Sequence, residues 1–150
     1  MKDLKMTKIY KYTGKTIKLS LEEKGEIILL NNNNTKILEI TEITEEQGEM
    51  WDEEFIKKEK ITKILSNEEV SFLSKSILNM FNIKFVGPIQ TSLNNIIISK
   101  INKNHMILSI IHLEHDFFDE EVKRYFTKTI NIQFILPRNE AKRLAKTLSI

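Results

Sequence analysis

The chain has 150 residues, 41% hydrophobic and 29% charged, with a formal net charge of +2; this composition fits one soluble globular domain rather than a disordered segment. Cysteine is absent, which excludes disulfides, thiolate metal sites and cysteine nucleophiles. No apolar run approaches the roughly 20 residues of a spanning helix, and no signal-type apolar segment follows the lysine-rich start, so a cytoplasmic protein without a membrane partner is expected.

Residues 8–12 interleave lysine and tyrosine around Ile9, and Gly14 allows a bend. Residues 16–21 place Ile17, Leu19 and Leu21 on one face and Thr16, Lys18 and Ser20 on the other, the pattern of a half-buried strand. Residues 22–25 read as a turn, 26–30 as a second strand and 31–34 as an asparagine-rich loop. A third strand is predicted over 36–44, a long acidic connection containing Gly48 over 45–54, and a fourth strand over 61–65. Ser66 and Glu69 then form a capping box, with Val70, Leu73, Ile77 and Met80 or Phe81 at helical spacing behind it.

The same order follows again. Residues 83–91 are extended and broken by Gly87-Pro88, which suits an edge strand. Strands are predicted over 96–101 and 105–113 around a turn at 102–104, with an acidic connection over 116–121. Ile130, Ile132, Phe134 and Leu136 alternate cleanly in a last strand. Pro137 suits a first helical position, and Ala141, Leu144, Ala145 and Leu148 form an apolar stripe. A shift of about 70 residues lays Ile37-Leu38 on Ile107-Leu108, Leu65 on Leu136, Glu69 on Glu140, and Val70, Leu73 and Ile77 on Ala141, Leu144 and Leu148. The expectation is one α+β domain over 1–150 built from tandem ββββα repeats, about 8–82 and 83–150. Each repeat is an antiparallel four-stranded sheet followed by a helix. The two apolar stripes serve as core or oligomer packing faces.

Catalysis is hard to build from these residues. Gly14, Gly25, Gly48 and Gly87 are far apart, so neither a phosphate-cradling loop nor a Gly-x-Ser-x-Gly elbow exists. His105, His112, Glu114, His115 and Asp116 are the main concentration of metal-type ligands, and on a strand His112 and His115 point to opposite faces. The acidic residues from Glu39 to Glu54 lack the spacing of a calcium loop. Neither a catalytic set, a metal site nor a cofactor is expected.

Binding is easier to build. Lys8, Tyr10, Lys11, Tyr12, Lys15 and Lys18 mix cations and rings in one hairpin-sized stretch; Trp51, Phe55, Lys57, Lys58 and Lys60 repeat the mixture, as do Lys123, Arg124, Tyr125, Phe126 and Lys128. Ammonium groups neutralise phosphates and rings stack on unpaired bases, whereas a single lysine on an open strand face is usually just solvated. Three such clusters in a short chain point to single-stranded nucleic acid as the partner. A protein-interaction or regulatory module using the same sheets is the alternative, favoured by the mild net charge and the acidic 45–54 stretch.

These residues resemble a known family. The order of elements looks like the Whirly single-stranded DNA-binding proteins and, more distantly, the positive-cofactor-four coactivators and trypanosomal guide-RNA-binding proteins. The run from Tyr10 to Leu19 is similar to the Lys-Gly-Lys-Ala-Ala-Leu signature, with Gly14 and Lys15 on its Gly and second Lys, Thr13 in place of its first Lys, and Thr16-Ile17 in place of its alanines. Gly48, Trp51-Asp52, Lys57-Lys58 and then Leu65-Ser66-Asn67-Glu68-Glu69-Val70 are similar to that family's Gly…Tyr-Asp-Trp…Lys-Lys…Leu-Ser-x-x-Glu-Val stretch. The resemblance implies a homotetramer with central helices and radiating sheets. It also implies a non-enzymatic protein that binds single-stranded DNA, or RNA, with little sequence preference and protects or presents unpaired strands in replication, repair, recombination or transcription.

Overall fold

The computed structural model describes residues 7–17, 23–32, 35–47, 54–82, 90–113, 117–126 and 129–150. The first half contains β1 (Thr7–Gly14), β2 (Glu23–Asn32), β3 (Thr35–Gln47), β4 (Glu54–Leu65) and α1 (Asn67–Met80). The second contains β5 (Gln90–Leu93), β6 (Ile96–Asn102), β7 (His105–Leu113), a ribbon of β8 (Phe117–Asp119) and β9 (Arg124–Phe126), then β10 (Thr129–Pro137) and α2 (Arg138–Leu148). Each half folds its four long strands as an antiparallel meander, β1-β2-β3-β4 in the first sheet and β5-β6-β7-β10 in the second. The α+β arrangement of two four-stranded antiparallel sheets, each followed by a helix, is the one the periodicity predicts.

The strand registers carry the internal repeat further than the apolar pattern does. Leu38 pairs with Leu29 on one side and Lys63 on the other, and Leu108 pairs with Ile98 and Phe134 in the same way. Ile40 likewise lies between Ile27 and Ile61, as Ile110 lies between Ile96 and Ile132. These positions occupy matching sheet sites. The helices meet at matching sites too, for the Ser74 hydroxyl on α1 donates 2.6 Å to the carbonyl of Ala145 on α2. Ser74 and Ala145 are small, which lets the backbones approach at the crossing, and the contact between equivalents places an approximate two-fold axis there.

One core serves both halves. Leu29, Leu38, Ile40, Ile61 and Leu65 of the first sheet and Ile96, Ile98, Leu108, Ile110 and Phe134 of the second pack with Leu73, Ile77, Leu144 and Leu148 of the helices. The stripes Val70, Leu73, Ile77 and Ala141, Leu144, Leu148 are therefore consumed inside the chain. Each fully buried aliphatic residue contributes about 1.5–3 kcal/mol. At the entry to α1 the capping box forms as the sequence predicts: Glu69 N–H donates to Ser66 Oγ at 3.2 Å, and Ser66 N–H donates to the Glu69 carboxylate at 3.1 Å.

The two sheets are joined at a corner. After Gly14 the chain leaves the first sheet; Thr16 bridges Phe134, and the Ile17 amide donates 2.8 Å to the Gln133 carbonyl. Phe134 reaches over Gly25, where a Cβ would fall on its ring and on the Thr16 methyl. Tyr12 meets the same ring edge-on at 6.1 Å and 76°.

Several boundaries differ from expectation for physical reasons. The first strand is 7–14, not 16–21; a bulge between Lys8 and Tyr10 breaks the alternation that would have revealed it. Thr16 and Ile17 pair with the second sheet instead, and 18–21 lie outside the described residues. Residues 23–25 are strand rather than turn, because Gly25 marks the close approach of Phe134. β3 extends to Gln47 and β4 begins at Glu54, so residues 45–47 and 54 of the expected connection are strand, and 48–53 lie outside the described residues. Residues 117–119 and 124–126 form a ribbon where a plain connection was expected, turning through Lys123 at φ 55°. Pro137 is the N-cap, with ψ 153°, and ends β10 one residue before the helix. Gly87-Pro88 lies outside the described residues, while β5 does take an edge position.

Candidate nucleic-acid interface

Cross-strand pairing assigns every residue of the first sheet to the core face or the outer face. Tyr10, Leu29, Leu38 and Lys63 share one inner row. The outer face includes the rows between: Lys8, Leu30, Ile37, Ile64; then Lys11, Ile28, Glu39, Thr62; then Thr13, Glu26, Thr41, Lys60; then Lys24, Ile43, Lys58. These four rows carry five lysines and two glutamates, with lysines on β1, β2 and β4 around an aliphatic centre, and the same register continues to Glu45 and Glu54 toward the far end of β3 and β4. Lys8, Lys11, Lys24, Lys58 and Lys60 are all exposed. Lys11 reaches Glu26 at 3.1 Å and Lys60 reaches Glu39 at 3.5 Å, diagonal pairs worth about 0.2–1 kcal/mol each at this exposure. Ile64 stands 65% exposed beside Ile37 and Leu30. Such a face can neutralise phosphates along its margins and offer aliphatic contact to bases at its middle.

The two tyrosines turn the other way. Tyr10 is only 4% exposed; its ring lies 4.7 Å beneath the Arg143 guanidinium and its hydroxyl is 3.4 Å from the Glu140 carboxylate. Burial, with the neighbouring Glu140 charge adding to it, pushes the Tyr10 phenol far above its ordinary value. Arg143 also donates to the Lys11 carbonyl at 2.6 Å, so the pair clamps β1 onto α2. Tyr12 is half-buried and donates to the Ile135 carbonyl at 3.2 Å, and its phenol too is raised, chiefly by burial. The Tyr10 ring is thus closed to a base, and the Tyr12 ring is partly covered. Both are among the candidate nucleic-acid contacts of the sequence; alternation around the bulge sends them inward and the lysines outward.

The remaining expected residues are spread more widely. Lys15 is exposed just past β1, at the corner between the sheets. Phe55 and Lys57 lie on β4 and Tyr125 on β9, while Lys123 and Arg124 are exposed at the ribbon. Lys18, Trp51 and Lys128 lie outside the described residues. Lys24 joins the face without having been singled out, although the alternation Lys24, Glu26, Ile28, Leu30 carried the signal. Lys63, facing inward at the matching site to Phe134, has its ammonium pulled below the ordinary lysine value by burial. Among the described residues, no three His, Cys, Asp or Glu side chains come together as a metal set, and Glu114, His115 and Asp116 lie outside them. No helix among the described residues is long and apolar enough to cross a membrane.

Comparison with known proteins gives no match: no family model, no curated protein and no solved structure is similar to this chain.

Proposed function

We propose that this protein binds single-stranded nucleic acid, DNA foremost, through the outer face of its first sheet, with little sequence preference and without enzymatic activity. The observation that carries the reading is the placement of Lys8, Lys11, Lys24, Lys58 and Lys60 on one sheet face by strand register. Lysine neutralises phosphate as a point charge irrespective of base sequence, and the aliphatic centre gives bases a surface that is equally indifferent to sequence. The Whirly-type fold belongs to the same reading, supported by the two sheet-and-helix units.

The test is fluorescence anisotropy with single-stranded and duplex oligonucleotides, in DNA and RNA form, from 50 to 200 mM salt. Five counterion-releasing contacts give a log–log slope of about −3.5 for single strands, a loss of about 100-fold in affinity over that range. Lys8→Ala with Lys58→Ala lowers the slope by about 1.4 while the fold is kept. Binding that ignores salt, equal preference for duplex, or an unchanged slope in the folded double variant refutes the assignment.

A further inference from the structure

The outer face of the second sheet has the opposite character from the first. Its rows are Gln133, Ser109, Ile97, Ser92 and Ile135, Ile107, Ser99, Gln90, flanked by Asn131 and Ile111, by Thr129 and Leu113, and by Pro137, His105 and Asn102. No Lys, Arg, Asp or Glu stands on this face of β5, β6, β7 or β10. His105, at one end, is its one titratable group among the described residues. Lys100 pairs with Met106 on the inner side, and Lys15 sits at the rim, before the Thr16 bridge to β10.

Exposed antiparallel sheets normally alternate apolar-in with charged or polar-out, and lysine is a usual guard on such surfaces. Here Ile97, Ile107 and Ile111 lie outward, Ile135 is 40% exposed and Leu113 56%. One central polar contact is made within the face, Gln133 Nε2 donating 3.0 Å to Ser109 Oγ. Covering the middle of the face leaves that hydrogen bond in place. We infer that this face docks a second copy of the chain, outer face to outer face, about a two-fold axis.

The choice of occupant rests on charge and area. A polyanion finds no cation on these strands, and a charged protein surface would lose its solvation without a counter-charge. The first sheet's outer face is excluded as the mate by its lysines and glutamates. Apart from Lys15 at its rim, the second sheet's outer face is uncharged and is its own complement, as an isologous contact requires. Strands of 4, 7, 9 and 9 residues, at about 3.4 Å per residue and about 4.8 Å apart, cover about 470 Å² of flat face. A pair then covers about 940 Å² before side-chain relief is counted, close to the roughly 1,000 Å² of a weak but specific interface. An interface of this size is weak and reversible. It leaves both lysine faces open, so it stands or falls independently of the nucleic-acid reading.

Sedimentation velocity of the full chain from about 1 to 500 µM tests this. The expected result is a mass rising from one chain toward two, with Ile135→Lys together with Leu113→Lys weakening association at least tenfold. Both residues are exposed in the single chain, so circular dichroism and melting stay as in wild type. Gln133→Lys, at the centre of the face, is a second disrupting variant, and Lys8→Ala with Lys11→Ala on the opposite face leaves association unchanged. A single-chain mass across the whole range overturns the inference. So does association that the folded face variants leave intact, which would place the contact elsewhere, or association that appears only with another protein present.

Discussion

Gly25 is the position where the packing of one sheet dictates the sequence of the other. Its Cα lies under the Phe134 ring, so the methyl of Gly25→Ala would enter the space of Phe134 Cε1 and Cζ and of Thr16 Cγ2. Phe134 is fully buried and Thr16 nearly so, which leaves neither free to swing away. Overpacking of this kind costs about 1–3 kcal/mol, more than the 0.4–1 kcal/mol that Ala gains over Gly by restricting the unfolded chain. For 150 residues the unfolding entropy is about 0.3 kcal/mol/K, so a mid-range net cost of about 1.3 kcal/mol lowers the melting temperature by about 4 °C. The stronger test is a double-mutant cycle with Phe134→Leu, which removes the two ring carbons and by itself costs up to about 1.5 kcal/mol. Calorimetry and urea unfolding of the four proteins should show Gly25→Ala costing at least 1 kcal/mol less in the Phe134→Leu background. A neutral Gly25→Ala, or strict additivity in the double variant, refutes the close-approach argument.

Three other substitutions follow from the same geometry. Ser66→Ala removes one arm of the capping box and lowers stability by about 0.5–2 kcal/mol in urea titration, without changing the slope of the transition. Tyr10 and Tyr12 both have phenols raised above the ordinary value, chiefly by burial, so their stabilising contribution is complete below the unfolded tyrosine value near 10 and is lost as pH climbs above it. Melting followed from pH 8 to 11.5 should fall steeply above about 10, and Tyr10→Phe should flatten that fall. Lys36 is 4% exposed on the inner face and donates to the carbonyl of Ile150, whereas its matching site in the second half holds Met106. Lys36→Met is therefore neutral or stabilising by up to about 1 kcal/mol in the same titration, since Ile150 is exposed and its carbonyl can bond water instead.

Where periodicity was uninterrupted, the sequence was a sufficient guide. The capping box, both apolar helix stripes, β7 and β10 are placed by local chemistry that depends on nothing distant. The pattern failed where a distant partner decides the conformation. Gly25 reads as a turn residue in isolation and is a strand residue only because Phe134, more than a hundred positions later, lies on it. The bulge at Ile9 hides the first strand, and it reverses the reading of the tyrosines: Arg143 and Glu140 on α2 hold Tyr10, and no local signal announces them. Residues 45–47 and 54–60 read as connection because they are polar, yet they extend the two expected strands, since strand pairing needs only backbone donors and acceptors.

Comparison of matching sites shows how the two halves have diverged on a common plan. The core positions keep their character, with Ile27, Leu29, Leu38, Ile40 and Ile61 answered by Ile96, Ile98, Leu108, Ile110 and Ile132. Core packing tolerates only substitutions that preserve volume and polarity, so these sites stay alike. On the outer faces no such constraint acts. Lys60 on β4 corresponds to Asn131 on β10 and Glu39 to Ser109, so the charge of the first sheet is absent from the second. Inside, the difference runs the other way at one point: Lys63 occupies the site where the second half has Phe134, and only Phe134 can cap the glycine corner that joins the sheets. The sheet that supplies this aromatic plug has the uncharged outer face, and the sheet that receives it has the lysine face. A duplicated fold of this kind separates two surface chemistries while its single core holds them in fixed relation.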